Sequence, residues 1–175
     1  MQKPIVTVNG FRLQNLIREQ VTQRDVLSKR FLDSQTMFPA EDKPSPEAVM
    51  EKLRTAERLI SKLQVLQDQY NLAVQITVDN ESRPLAYVVN LIGSMGREEK
   101  AWRLYATGKE DRYGYRDEQR DANSIYAVRA MTNEVAAELA KAAGRRAAQC
   151  REAIAVGNAT KMSFDVDPEL ADLFG

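Results

Sequence analysis

The chain has 175 residues, with 25 basic and 25 acidic side chains, one cysteine and no histidine. This length suffices for one domain with a real core, and the zero net charge argues against a protein that binds nucleic acid by bulk electrostatics. The lack of histidine excludes Ser-His-Asp and Cys-His catalysis as well as histidine-based zinc sites. We therefore expect no catalytic activity and no cofactor.

Cys150 has no partner cysteine for an internal disulfide. It follows helical apolar spacing, which favours a buried thiol over a nucleophile. A chain without an internal disulfide also favours a reducing compartment. No apolar run approaches the roughly 20 residues of a membrane-spanning helix, and the N-terminus lacks the apolar segment of a signal peptide. We expect a cytoplasmic protein without membrane contacts.

The first elements are a short strand and a helix. Residues 4–8, PIVTV, are mostly β-branched and predict a strand that ends at a turn formed by Asn9 and Gly10. A helix is predicted over residues 11–31, although Arg24 interrupts its apolar face. The apolar positions are Leu13, Ile17, Val21, Leu27 and Phe31. A proline-containing loop should then lead to the next helix.

Residues 45–71 carry the clearest helix signal of the chain. Ser45 can cap the first turn, and Pro46 stands where a helix needs no donor. Apolar residues follow in alternating steps of three and four, which places them on one stripe. The stripe consists of Val49, Leu53, Ala56, Ile60, Leu63, Leu66 and Tyr70. It predicts either the core of a helical bundle or a coiled-coil seam with a second subunit.

Beyond this helix the apolar period changes. Residues 74–78 alternate with a period of two, which predicts a second strand. A turn is expected at 79–82, and Pro84 is expected to open another helix. Gly93 and Gly96 lie inside that helix, where each costs about 1 kcal/mol relative to alanine. They indicate a close helix crossing, a bend or a place where a ligand approaches the backbone.

The last third of the chain predicts a loop, a strand and a helix. Residues 107–121 contain almost no aliphatic side chains and predict an exposed loop, and residues 124–131 predict a third short strand. Thr132 or Asn133 can cap a long alanine-rich helix that continues to about residue 156.

Gly157 and Asn158 supply a left-handed stop for that helix. In the tail that follows, Asp167 and Pro168 can start one short helical turn. This acidic and apolar tail can dock on its own subunit, dock on a neighbouring subunit or serve as a linear motif for a partner protein.

These patterns together predict a mainly α protein. Four substantial helices form a bundle-like arrangement with two or three short strands at one end and a C-terminal tail. Residues 1–162 make a single helical domain, and residues 163–175 make the tail. The long amphipathic helices also favour a homo-oligomer.

The candidate binding site is the segment 97–120. Arginine forks match phosphate oxygens, and aromatic rings stack on bases or on guanidinium planes. Acidic residues interleave with the basic ones, so the alternative is a solvated surface joined by salt bridges. The candidate ligand-binding residues are Arg97, Lys100, Trp102, Arg103, Tyr105, Lys109, Arg112, Tyr113, Tyr115 and Arg116. Adjacent carboxylates such as Glu98 and Glu99 do not converge, so we expect no metal site.

Several short motifs and their order resemble a known family. They are the segment 38–42 (FPAED), the pair Arg112 and Tyr113, the segment 138–141 (ELAK) and the closing Asn158. In these features the chain resembles the small helical bacterial and phage proteins known as septicolysins. The resemblance implies a mainly helical fold. It assigns no catalytic residue, because the activity of that family is not established.

The function predicted from the sequence is that of a non-enzymatic, homo-oligomeric binding protein. Its arginine- and tyrosine-rich segment would bind or sequester an anionic, nucleotide-like small molecule. The alternative is an adaptor or inhibitor, of phage origin, that contacts a partner protein through the same segment and the C-terminal tail.

Overall fold

The computed structural model describes residues 3–35, 44–107 and 130–175. In these ranges the elements follow in the order β1 (Ile5–Val8), α1 (Gly10–Asp33), α2 (Pro46–Ala73), β2 (Gln75–Val78), β3 (Glu81–Pro84), α3 (Leu85–Thr107), α4 (Asn133–Ala159), β4 (Met162–Asp165) and α5 (Pro168–Ala171). The predicted class, mainly helical with a few short strands, is confirmed. Within the same ranges, no helix combines the length and the apolar character that a membrane crossing requires.

The described residues form two compact units. The first unit comprises the described residues of 1–86 and 154–175, and the second comprises those of 87–153. The first unit contains α1, α2, the four strands, α5 and the last turn of α4. The second unit contains most of α3 and α4.

Helix α2 is the core helix of the first unit. Its first turn is capped by Ser45, whose Oγ accepts a hydrogen bond from the Ala48 amide at 3.2 Å. Its buried residues are Val49, Ala56, Ile60, Leu63, Leu66 and Tyr70, all of them on the predicted stripe. Val49 and Ala56 pack with Leu27 of α1. The stripe is therefore already buried within one chain, as the bundle-core alternative predicts.

Helix α1 differs from the prediction at its start and on its buried face. The Asn9 side chain accepts a hydrogen bond from the Arg12 amide at 2.9 Å, so Asn9 caps the helix rather than forming a turn. The buried residues are Gly10, Leu13, Leu16, Gln20 and Leu27. Ile17 and Val21, which the spacing placed on the core face, are only partly buried. The apolar period misplaces this face because a polar residue, Gln20, occupies one of its core positions.

The strands form two antiparallel pairs in the first unit. β1 pairs with β4, with Val6 opposite Phe164, and β2 pairs with β3. The β2–β3 turn consists of Asp79 and Asn80, with φ values of 52° and 64°, the left-handed pair that a tight hairpin requires. β3 and β4 were not predicted, because the four residues of each carry too weak a pattern. Most of the predicted strand 124–131 lies outside the described residues.

One predicted boundary is shifted by one residue, and another is wrong. Pro84 closes β3, and α3 begins one residue later, where the Leu85 amide donates to the Val74 carbonyl at 2.8 Å. Helix α4 continues through Gly157 to Ala159, and no described glycine has a positive φ. Gly157 serves close packing instead, because a Cβ there would lie 2.8 Å from Cγ2 of Ile76.

The C-terminal tail docks on its own chain. Besides β4, it contains α5, which Asp167 caps by accepting from the Leu170 amide at 3.1 Å, as predicted. Leu170 is buried. Arg58 and Lys62 of α2 contact Glu169, with closest N–O distances of 2.7 Å for both pairs. The hydrogen bonds from Arg58, followed by that from Lys62, lower the pKa of Glu169 to about 2.

Candidate functional site

The sequence-predicted site falls partly on α3. Arg97, Lys100, Trp102, Arg103 and Tyr105 belong to the last three turns of this helix. The other five candidates lie outside the described residues: Lys109, Arg112, Tyr113, Tyr115 and Arg116. Among the described residues, the candidate site therefore comprises the C-terminal end of α3 and the residues that pack beside it.

Helix geometry divides the five described candidates into two groups. Successive residues of an α-helix are rotated by about 100°, so Arg97, Lys100 and Arg103 follow one ridge of exposed side chains. Trp102 and Tyr105 point to another side of the helix and are partly buried. Their ring centroids are 6.2 Å apart in an edge-to-face arrangement. The aromatic rings thus pack against each other, and the basic side chains stand apart from them.

A groove brings Arg103 together with residues of α4. The α3–α4 groove is lined by Arg103, Ala106, Thr107, Ala137, Ala140 and Lys141 and has a volume of about 380 Å³. This volume lies within the range of small-molecule pockets, about 300–1,000 Å³. Sequence reasoning missed Lys141 as a site residue, because the candidate segment ended before α4 and nothing in the spacing connects the two helices.

Both cations of the groove have a carboxylate partner on their own helix. Arg103 donates from Nη2 and Nε to Oε1 of Glu99, at 2.7 and 3.0 Å. Lys141 donates from Nζ to Oε1 of Glu138 at 2.7 Å, and this hydrogen bond lowers the pKa of Glu138. The guanidinium and ammonium groups remain exposed. An incoming anion can therefore reach them from solvent.

Glu99 holds Arg103 in place more firmly than its sequence position suggests. Its side chain is 21% exposed, against 70% for Arg103. The carboxylate packs on α4 at Gly144, where a Cβ would lie 3.3 Å from Oε1 of Glu99. Gly144 thus leaves room for the carboxylate that orients the arginine. The two i, i+4 partners were in the predicted segment, but the role of Gly144 requires the packing of the two helices.

The deeper part of the same unit is apolar. Val88 and Met95 of α3 and Cys150 of α4 are buried, and the Cys150 Sγ lies 3.6 Å from the Met95 Sδ. The buried thiol that was predicted for Cys150 is thus confirmed. Gly93 and Gly96 are exposed, and apart from the backbone of α3 itself and the two neighbouring residues, no atom of the described residues lies within 4 Å of a Cβ built at Gly96. These two glycines therefore mark no close helix crossing among the described residues.

The described residues contain no group of three or more acidic or cysteine side chains that could hold a metal ion. Comparisons of the chain with protein-family models, with curated proteins and with solved structures give no match. The resemblance to septicolysins stays a prediction.

Proposed function

We propose that the chain is a non-enzymatic binding protein that binds or sequesters an anionic, nucleotide-like small molecule in the α3–α4 groove. The observation that carries this proposal is that Arg103 and Lys141, from two different helices, line one groove. An arginine fork and an ammonium group together suit a phosphate. The three alanines offer an apolar wall for a ring system.

The intrahelical ion pairs do not prevent such binding. Exposed salt bridges within one helix contribute little to stability, because solvent screens them and two long side chains lose freedom. A phosphate can therefore replace Glu138 at Lys141, and at Arg103 it can bind the guanidinium beside Glu99. Because the Glu99 carboxylate packs at Gly144, it would hold the guanidinium in place while one edge of the fork turns to the ligand.

The adaptor alternative has less support. In the adaptor alternative, the C-terminal tail contacts a partner protein. In the structure, however, β4 of the tail pairs with β1, and α5 packs on α2 of the same chain. A partner would have to displace these contacts. The proposal therefore uses the groove alone. Homo-oligomer formation remains part of the proposal, and light scattering tests it.

Isothermal titration of the full chain with adenine and guanine mono-, di- and triphosphates tests the function. At least one of them should bind, and Arg103→Ala and Lys141→Ala should each weaken binding by about tenfold or more, as expected for a charge-assisted hydrogen bond. Binding should also weaken as salt is added. Arg146→Ala is the matched control, because Arg146 is an exposed residue of α4 and does not line the groove.

Two results would contradict the proposal. One is the absence of heat with every nucleotide from a chain whose circular dichroism is that of a folded helical protein. The other is a binding nucleotide whose affinity is unchanged in both groove variants, which would place its site elsewhere.

A further inference from the structure

A second groove lies in the first unit, between α1 and α2. This Gln20 groove is lined by Gln20, Gln23, Glu51, Lys52, Thr55, Ala56, Leu59 and Leu173 and has a volume of about 340 Å³. Leu173 comes from the C-terminal tail, so three separate segments build the groove. Its position is independent of the α3–α4 groove, which uses none of these residues.

Gln20 is the unusual residue of this groove. It occupies a core position of α1 between Leu16 and Leu27 and is only 8% exposed. Within the described ranges its amide has no hydrogen-bond partner, and its polar atoms are not sealed in the core. The amide therefore opens onto the groove. Buried polar groups in folded proteins are almost always hydrogen-bonded, so the groove supplies the partner of Gln20, either water or a bound molecule.

The lining restricts the chemistry of that partner. Glu51 and Lys52 contribute one negative and one positive charge, which sum to zero. Ala56, Leu59 and Leu173 provide apolar surface for a small hydrocarbon ring or chain. The Gln20 amide presents a carbonyl acceptor beside an N–H donor. The group that matches both atoms at once has a donor and an acceptor on the same edge, as in a primary carboxamide or a lactam.

We propose that the Gln20 groove binds an uncharged carboxamide or lactam, which pairs with the Gln20 amide through two hydrogen bonds and places its hydrocarbon part against Leu59 and Leu173. The tail is a wall of this site. The Leu173 carbonyl accepts a hydrogen bond from Arg12 Nη2 at 3.3 Å, and Leu170 is buried nearby in sequence. These contacts hold the wall in place.

The test uses pyrrolidinone as the lactam probe and N-methylpyrrolidinone as its control, because the second compound has the same ring but no N–H. Heteronuclear spectra of the ¹⁵N-labelled full chain resolve the side-chain amides of glutamine. Pyrrolidinone should shift the Gln20 side-chain signal in a saturable manner and leave that of Gln64, an exposed residue of α2, unchanged. N-methylpyrrolidinone should bind at least tenfold more weakly.

Gln20→Met supplies the matched variant, since methionine has a similar length and no amide. It should abolish pyrrolidinone binding while the melting temperature stays the same or rises, because an unpaired buried amide is removed. Gln64→Met should change neither quantity.

Two outcomes would overturn the inference. If the Gln20 signal moves no more than that of Gln64, the groove holds water only. If Gln20→Met lowers the melting temperature, the amide is satisfied within the protein and fixes the register of the helix pair instead.

Discussion

Replacing Tyr70 with phenylalanine removes a single oxygen atom from a fully buried side chain. The Tyr70 hydroxyl lies 2.6 Å from the Gly157 carbonyl and 2.7 Å from the Thr160 carbonyl, so it can donate to either. Burial raises the pKa of this phenol, while the nearby backbone amide of Gly10 acts in the opposite direction. The hydroxyl thus joins the end of α2 to the end of α4 within the first unit.

The cost of Tyr70→Phe follows from these contacts. The Gly157 carbonyl also accepts from the Thr160 amide at 3.1 Å, so it keeps one partner. Losing the hydroxyl should destabilise the fold by about 1–3 kcal/mol. For about 2 kcal/mol in a protein of this length, the midpoint of thermal unfolding should fall by about 4–8 °C.

Thermal unfolding followed by circular dichroism measures this effect. Tyr87→Phe is the control, because the Tyr87 ring is half-exposed and water can replace whatever its hydroxyl contacts. A midpoint for Tyr70→Phe that equals that of the wild type would refute the reasoning. It would mean that the two carbonyls find other partners without cost.

Three further predictions concern two glycines and the tail. Gly96→Ala should stabilise the chain by about 1 kcal/mol in urea unfolding, because the exposed site is open and alanine favours the helix. Gly157→Ala should destabilise it by about 1–3 kcal/mol in the same assay, because the new Cβ would press on Ile76. The pKa of Glu169, lowered from 4.5 to about 2, lies below its value in the unfolded chain, so its contribution to tail docking is complete above 4.5 and lost towards about 2. The protection factors of the β4 amides, which correct for the pH dependence of intrinsic exchange, should fall as the pH is lowered through that range, and Glu169→Gln should remove this part of the pH dependence.

The helices could be predicted from the sequence because their signals are long and redundant. Helix α2 is predicted by three signals at once: a cap, a proline at the first position and a stripe of seven apolar residues. Strands β3 and β4 have four residues each, and their pairing partners are set by tertiary structure. The sequence ESRP of β3 contains turn-forming residues and does not itself favour a strand. It is a strand because the turn at Asp79 and Asn80 brings it beside β2. Strand β2 is equally short, but its alternating apolar residues predicted it.

Of the predicted binding residues that the structure describes, Arg103 lines the α3–α4 groove. Arg103 belongs to the α3–α4 groove, but Lys141 is 38 positions further along the chain, and no local pattern links the two. The role of Gly157 was also mispredicted from its sequence neighbours. Glycine is a common residue at the end of a helix, so a stop was predicted there. In the structure, Gly157 instead allows Ile76 to approach α4 closely. Both errors arise because a residue's spatial neighbours, rather than its sequence neighbours, decide its role.

Gln20 is a polar residue at a core position of α1, and its spatial neighbours also decide its role. A polar residue at a core position disturbs the apolar period, and for this reason the spacing of α1 misplaced Ile17 and Val21. Local rules are most often broken where function or strain requires it, and the amide of Gln20 faces a groove that offers it no partner among the described residues. The two proposed sites use different helices, Gln20 on α1 and Arg103 on α3. Gln20→Met should therefore leave nucleotide binding unchanged, and Arg103→Ala should leave lactam binding unchanged, so each proposal can fail alone.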